Sequence, residues 1–363
     1  MLLAAELALD GRLAEGWVAI EGANLAAAAH GPPPREPDQR LDGILARGLC
    51  DLQVNGAGGH EVSGGEAALD AIDALELARG VTSYLPVLIS PDDETAERAL
   101  EQLAARTADP ASPVVGVHLE GPFLNPERAG MHPLERLRSP ADGVPDWIEH
   151  PAVRLVTLAP ELPGALELIA RLRARGIAVS LGHSNAGAEV AAEAIDAGAR
   201  LVTHLFNAMA PMHHRAPGLA GVALVDERVS VCVIADRVHV HPLTLELVRR
   251  AAGPRTVLVT DATPAAAAPL GDYEMAGVAI ERGADGAAHT RDGRLAGSTL
   301  TLDAGVRNWH ALTRATLAEA LYAANQAPAA AAPLHAEAPA DLVELDSTGI
   351  VRAVMRGGRW LDR

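Results

Sequence analysis

The chain has 363 residues, 49% of them hydrophobic but only 2% aromatic, so a large core is possible and Ala, Val and Leu must fill it. A net charge of −17 argues against nucleic acid and anionic membranes as partners. No run of about 18 apolar residues occurs, so no membrane span is expected.

Residues 1–46 read as two short strand-like runs joined by a DG turn, with no long helix. The opening carries Glu6 and Asp10 and lacks a basic stretch, so no signal peptide is expected and the cytoplasm is the expected compartment. From about residue 48 the pattern changes to short Val-, Ile- and Leu-rich runs, as strands buried on both faces should be. Six of these end in a polar residue: GLCDLQVN with Gln53, VVGVHLEGP with Glu120, IAVSLGHSN with His183, LVTHLFNAM with His204, VSVCVIADR with Asp236 and RTVLVTDAT with Asp261. TSYLPVL (82–88) and VRLVTLAP (153–160) bring the number of strands to eight. Helical stretches are predicted over 67–80, 94–109, 165–176, 186–199 and 243–253, several ending in Gly, a common helix stop. Cys50 and Cys232 fall inside strands and read as small buried residues. Residues 263–298 read as loop with some hairpin, 299–333 as helix ending in an Ala/Pro stretch, and 340–363 as strand, turn, strand.

Eight strands alternating with helices predict an α/β fold of the (β/α)8, TIM-like barrel type over 47–335. An open doubly wound sheet is the rival, without a Gly-rich dinucleotide fingerprint to support it. The β-rich ends, 1–46 and 336–363, are expected to pair into one small β-sandwich domain.

Barrels of parallel strands collect chemistry at the C-terminal ends of those strands. Glu120, His183 and His204 end strands three, five and six. Each alone suits a satisfied polar strand end. Together they make a three-ligand catalytic metal site with room for water. Zinc suits them best, with Fe(II), Mn(II) or Co(II) as alternatives. Asp261, ending strand eight, is placed to serve as general base. Gln53 and Asn55 share a strand face, but amides are poor ligands, so one metal per subunit is expected. His132 sits in the loop RAGMHP and is read as a catalytic group or a plain surface residue. Asn207 and Ala208 follow His204 where a loop can offer hydrogen bonds to a ligand. His213, His214 and Arg215 form a basic patch in an acidic chain, and Arg suits phosphate. His239 and His241 follow strand seven; His239 is read as a substrate contact and His241 as structural.

The runs DLQVNGAGG, GVHLEGPFLNPERAGMHP, LGHSNA, THLFNAM, APGLAG, IADRVHVHP, LVTDAT and LAGSTLTLDAGVRN occur in order from about residue 48 to 310. In this order they resemble the N-acetylglucosamine-6-phosphate deacetylases of the amidohydrolase superfamily. The resemblance implies release of acetate from N-acetyl-D-glucosamine 6-phosphate in amino-sugar catabolism. It places one divalent metal on Glu120, His183 and His204, and makes Asp261 the acid/base. Met131, His132, Asn207, Ala208, Arg215, Asp236 to His239, and Leu295, Ala296 and Gly297 would line the sugar-phosphate site. It also implies a homodimer in which Arg215 reaches the neighbouring subunit's substrate. Ala216 stands where Glu is frequent in that family, and Arg47-Gly48 where Pro-Gly usually opens strand one. Two other functions fit the sequence: a deacetylase of another sugar phosphate, such as the galactosamine isomer, and a non-catalytic barrel used for binding.

Overall fold

The computed structural model describes residues 1–332, 334 and 339–362. The expected domain boundary between 335 and 336 lies outside the described residues.

All eight expected strands form: Leu49–Val54, Val81–Ile89, Val117–Glu120, Val153–Leu158, Ala178–Leu181, Leu201–Val202, Ser230–Val233 and Thr256–Leu258. They join in chain order into one parallel sheet. Its first and last strands meet, because the Asn55 N–H donates to the Ala262 carbonyl at 2.8 Å and Val54 bridges Ala262. The sheet thus rolls into a barrel. Its wall is buried on both faces, as in the nine consecutive buried residues of Val81–Ile89. Leu52, Leu85, Leu155, Leu201, Cys232 and Val257 come from six different strands and pack together. Medium-sized branched and small residues fill a barrel that has few aromatics to use.

Helices at Glu66–Ala78, Asp93–Ala108, Ala165–Ala174, Ala188–Ala197 and Pro242–Ala252 match the expected ones within two residues. The second begins where the Asp92 carboxylate accepts from the Thr95 N–H at 2.8 Å. One helix, Gly218–Val225, is not foreseen. Its sequence GLAGVALV is apolar throughout and carries no 3.6-residue alternation to read. The segment after strand eight contains a three-stranded hairpin sheet, Gly271–Met275, Val278–Arg282 and Ala288–Thr290. Helices Leu302–Leu312, Leu317–Ala324 and Gln326–Ala331 follow.

The two ends do form the small β domain. Its seven strands are joined in one ladder, with Gln39–Arg47 pairing to both Leu2–Leu9 and Leu342–Leu345. The N-terminal part holds four strands rather than two. The third, Asn24–His30, is alanine-rich and has no fully buried residue, so it lacks the alternation of a half-buried strand. The fourth runs almost directly into the barrel, with only Gly48 between.

Candidate active site

The ends of strands three, five and six bring Glu120, His183 and His204 together. Glu120 Oε1 lies 3.1 Å from His183 Nε2 and 3.2 Å from His204 Nε2, and the two Nε2 atoms are 3.1 Å apart. All three side chains are buried. His183 Nδ1–H donates to the Arg128 carbonyl at 2.7 Å, which leaves its Nε2 with a free lone pair toward Glu120. Two imidazole nitrogens and a carboxylate oxygen converging in a buried spot fit a divalent cation. His132 adds a third imidazole. Its Nε2 is 3.7 Å from Glu120 Oε2, and its ring meets His183 edge-on at 4.6 Å. Glu120, His132 and His183 also have ligand atoms within 4.8 Å of one another, a looser set than the first.

Asp261 stands beside this group. Asn55 Nδ2 donates to its Oδ1 at 2.8 Å and Gln53 Nε2 at 3.1 Å. The same Gln53 nitrogen donates to Glu120 Oε1 at 3.1 Å. The Gln53 amide therefore ties the two carboxylates together, and Asn55 adds a second bond to Asp261. Burial, then the charge of Glu120, pushes Asp261 up to about 6. Burial works against ionising Glu120 as well, but the imidazoles of His132, His183 and His204 around it hold it well below the usual carboxylate range. Burial lowers His132 to about 4, so its ring is neutral near pH 7.

Ser90, His183, His204 and Asp261 each end a barrel strand with φ between 28° and 51°. Left-handed backbone is costly for a residue with a side chain and clusters at functional sites. Gly297 also has a positive φ, and a Cβ there would lie 2.8 Å from the Asp261 carbonyl. No larger residue fits that approach.

A cavity of about 320 Å³ opens above these groups, within the usual range for a small ligand. Met131, His132, Asn207, Ala208, His239, Leu295 and Gly297 line it. Three expected contacts lie elsewhere. Ala296 is fully buried behind the wall. Asp236 stands behind His239, accepting from its Nδ1–H at 2.6 Å, and so orients that ring. Arg215 is exposed on a turn, bonded to His214, and does not line this cavity. His241 caps the helix that follows it. His118 is not a ligand: it bonds the Leu52 carbonyl and Thr157 inside the barrel, and burial lowers it to about 4.

Sequence reading passes over Ile89, Ser90, Met275 and Arg294. Ile89, Met275 and Arg294 line the cavity. Arg294 bonds Asp292 and the Gly130 carbonyl, joining the hairpin to the loop that carries His132. Ser90 bears a signal that the sequence does carry: it closes the apolar run of strand two as the other site residues close theirs.

A (β/α)8 barrel with this carboxylate, imidazole and aspartate set at its mouth defines a metal-dependent hydrolase. The amidohydrolase family model matches residues 71–361, and the chain belongs to that family. It is 37% identical to the N-acetylglucosamine-6-phosphate deacetylase of Homo sapiens, over 89% of this chain and 85% of that one. It is also 37% identical to the N-acetylgalactosamine-6-phosphate deacetylase of Escherichia coli O157:H7, over 87% and 86%. Among solved structures it resembles N-acetyl-D-glucosamine-6-phosphate deacetylase of Mycobacterium smegmatis, a variant of which was solved with N-acetyl-D-glucosamine-6-phosphate. The TM-score is 0.88 at 35% identity, covering 99% of this chain and 98% of that one.

Proposed function

We propose that this chain hydrolyses N-acetyl-D-glucosamine 6-phosphate to acetate and D-glucosamine 6-phosphate, as a step of amino-sugar catabolism in the cytoplasm. The observation that carries this reading is the 3.1–3.2 Å convergence of Glu120, His183 and His204 next to Asp261. Glu120, His183 and His204 hold one divalent ion per subunit, and zinc is the best match to two imidazoles and a carboxylate. Fe(II), Mn(II) and Co(II) are the alternatives. Gln53 and Asn55 spend their amide N–H groups on Glu120 and Asp261, which argues for one ion rather than two. Zinc, when bound, acidifies water and polarises the acetyl carbonyl.

An Asp261 oxygen takes the proton of the attacking water and later returns it to the departing C2 amine. A pKa near 6 suits both roles close to neutrality. His132 Nε2 faces the place where negative charge develops on the acetyl oxygen. Met131, Leu295 and Gly297 wall the sugar; Asn207, Ala208 and His239 take its polar groups. Arg215 serves the phosphate of a neighbouring subunit in a homodimer. Support for that arrangement comes from the exposure of Arg215 itself and of the apolar Met212 three residues before it. The small β domain, 1–46 with 336–363, is a scaffold for the barrel of 47–335.

One specific observation favours a second substrate: the Escherichia coli relative named for N-acetylgalactosamine 6-phosphate is as similar as the human one. Acetate release from both phosphorylated epimers and from unphosphorylated N-acetylglucosamine, with zinc supplied, tests the proposal. Faster turnover of the glucosamine epimer than of the other two is expected. A preference for the galactosamine epimer would favour the second reading, and no release from any would discard both.

A further inference from the structure

We infer that Ser90 is a positioning residue which fixes the proton of His132 on Nε2, so that this ring donates a hydrogen bond into the cavity and does not bind the metal. The inference rests on the hydrolase reading of the site and adds one residue to it.

Three observations lead there. First, Ser90 ends strand two with φ 35°, the same left-handed kink found at His183, His204 and Asp261. Serine gains nothing from such backbone by itself, so the kink belongs to what the side chain does. Second, Ser90 is fully buried and its Oγ lies 2.8 Å from His132 Nδ1. A Cβ on Gly121 would come within 2.4 Å of that oxygen, so the hydroxyl is confined. Third, His132 Nε2 faces Glu120 Oε2 at 3.7 Å, and an ionised carboxylate accepts but cannot donate.

A neutral imidazole carries one N–H, and its partners decide where. In one arrangement the ring donates from Nδ1 to Ser90 Oγ, and Ser90 passes its own proton to the Glu120 carbonyl. Nε2 is then bare, and His132 joins Glu120 and His183 as a metal ligand. In the other, Ser90 O–H donates to Nδ1, and Nε2 carries the proton. The distances select the second. Ser90 Oγ is 3.5 Å from the Glu120 carbonyl, at the limit of a hydrogen bond, and that carbonyl already accepts from the Ser90 N–H at 2.9 Å. A bare Nε2 would also set a lone pair against the Glu120 carboxylate, whereas Nε2–H is attracted to it. His204, not His132, thereby completes the ligand set, and His132 is left as a donor for the acetyl oxygen.

The test is nitrogen NMR of the zinc-loaded protein with 15N-histidine, assigning His132 by His132→Gln. The expected signal is a neutral ring protonated on Nε2; protonation on Nδ1 overturns the inference, whatever the substrate proves to be. Ser90→Ala is expected to lose the fixed tautomer and to lower kcat about 10–100-fold, with KM and bound zinc nearly unchanged. Ser90→Thr, which keeps the hydroxyl, is expected to restore most of the rate. Wild-type kcat in Ser90→Ala would also overturn it. Failure of the substrate reading would look different: no acetate from the wild-type protein, with the His132 signal still legible.

Discussion

The barrel buries carboxylates at two levels, and they behave differently. At the mouth, Glu120 is surrounded by imidazoles and an amide, and Asp261 accepts from two amides. Deeper in the wall, Asp51 takes backbone N–H groups on Oδ1 only, and its Oδ2 is without a partner among the described residues. Glu76, on the first helix, likewise leaves Oε2 without one. Burial pushes Asp51 up to about 7 and Glu76 up to about 8. Burial raises all four, and what offsets it differs: the surrounding imidazoles hold Glu120 low, while Asp51 and Glu76 each leave one oxygen without a donor among the described residues.

Changes at the mouth test that contrast most severely. Glu120→Gln removes the only charged ligand, so zinc content and acetate release are expected to fall together to background; metal analysis beside the assay checks this. Retained zinc would mean that the imidazoles suffice. Asp261→Asn keeps its shape but cannot accept a proton, and a loss of about 10²–10⁴-fold in kcat is expected with zinc retained. Steady-state kinetics and metal analysis on the same preparation separate it from Glu120→Gln. Arg215→Gln should raise KM for the phosphorylated sugar by about 10–100-fold, the worth of about one charge-assisted hydrogen bond. It should leave the unphosphorylated sugar unchanged, and an equal effect on both would remove Arg215 from the phosphate site.

The smallest effect belongs to the deeper level and concerns stability. The Glu76 pKa is raised in the folded state, so its contribution is full below its ordinary value of 4.5 and is lost as pH rises through about 8. Asp51, Asp73 and Asp303 add to the rise and Arg79 opposes it. Glu76→Gln should therefore match the wild type near pH 5 and exceed its Tm at pH 9 by about 2–5 °C. Parallel melting curves across that range would mean that Glu76 is already satisfied when ionised.

Much of this was written in local pattern. Short apolar runs closed by Gln53, Glu120, His183, His204 and Asp261 give both barrel and site, because strand burial and strand-end chemistry are sequence-local. What depends on which side chains meet in space was not legible. Asp236 turns out to orient His239, which only the 2.6 Å contact reveals. Arg294 reaches the cavity through a bond to Gly130, far away in sequence. The helix Gly218–Val225 hides in an unbroken apolar run, and the alanine strand Asn24–His30 in a weakly buried one.

The ladder of the small β domain also has a consequence in time. Its strand Gln39–Arg47 is hydrogen-bonded to Leu342–Leu345, with Arg47 opposite Leu342. On a ribosome adding about 5–20 residues per second, the roughly 300 residues between these partners take about 15–60 s to make. Throughout that interval the nascent chain presents an open sheet edge at Gln39–Arg47. The whole barrel must emerge before the chain can close it, so the small β domain, begun before the barrel, is completed only after it.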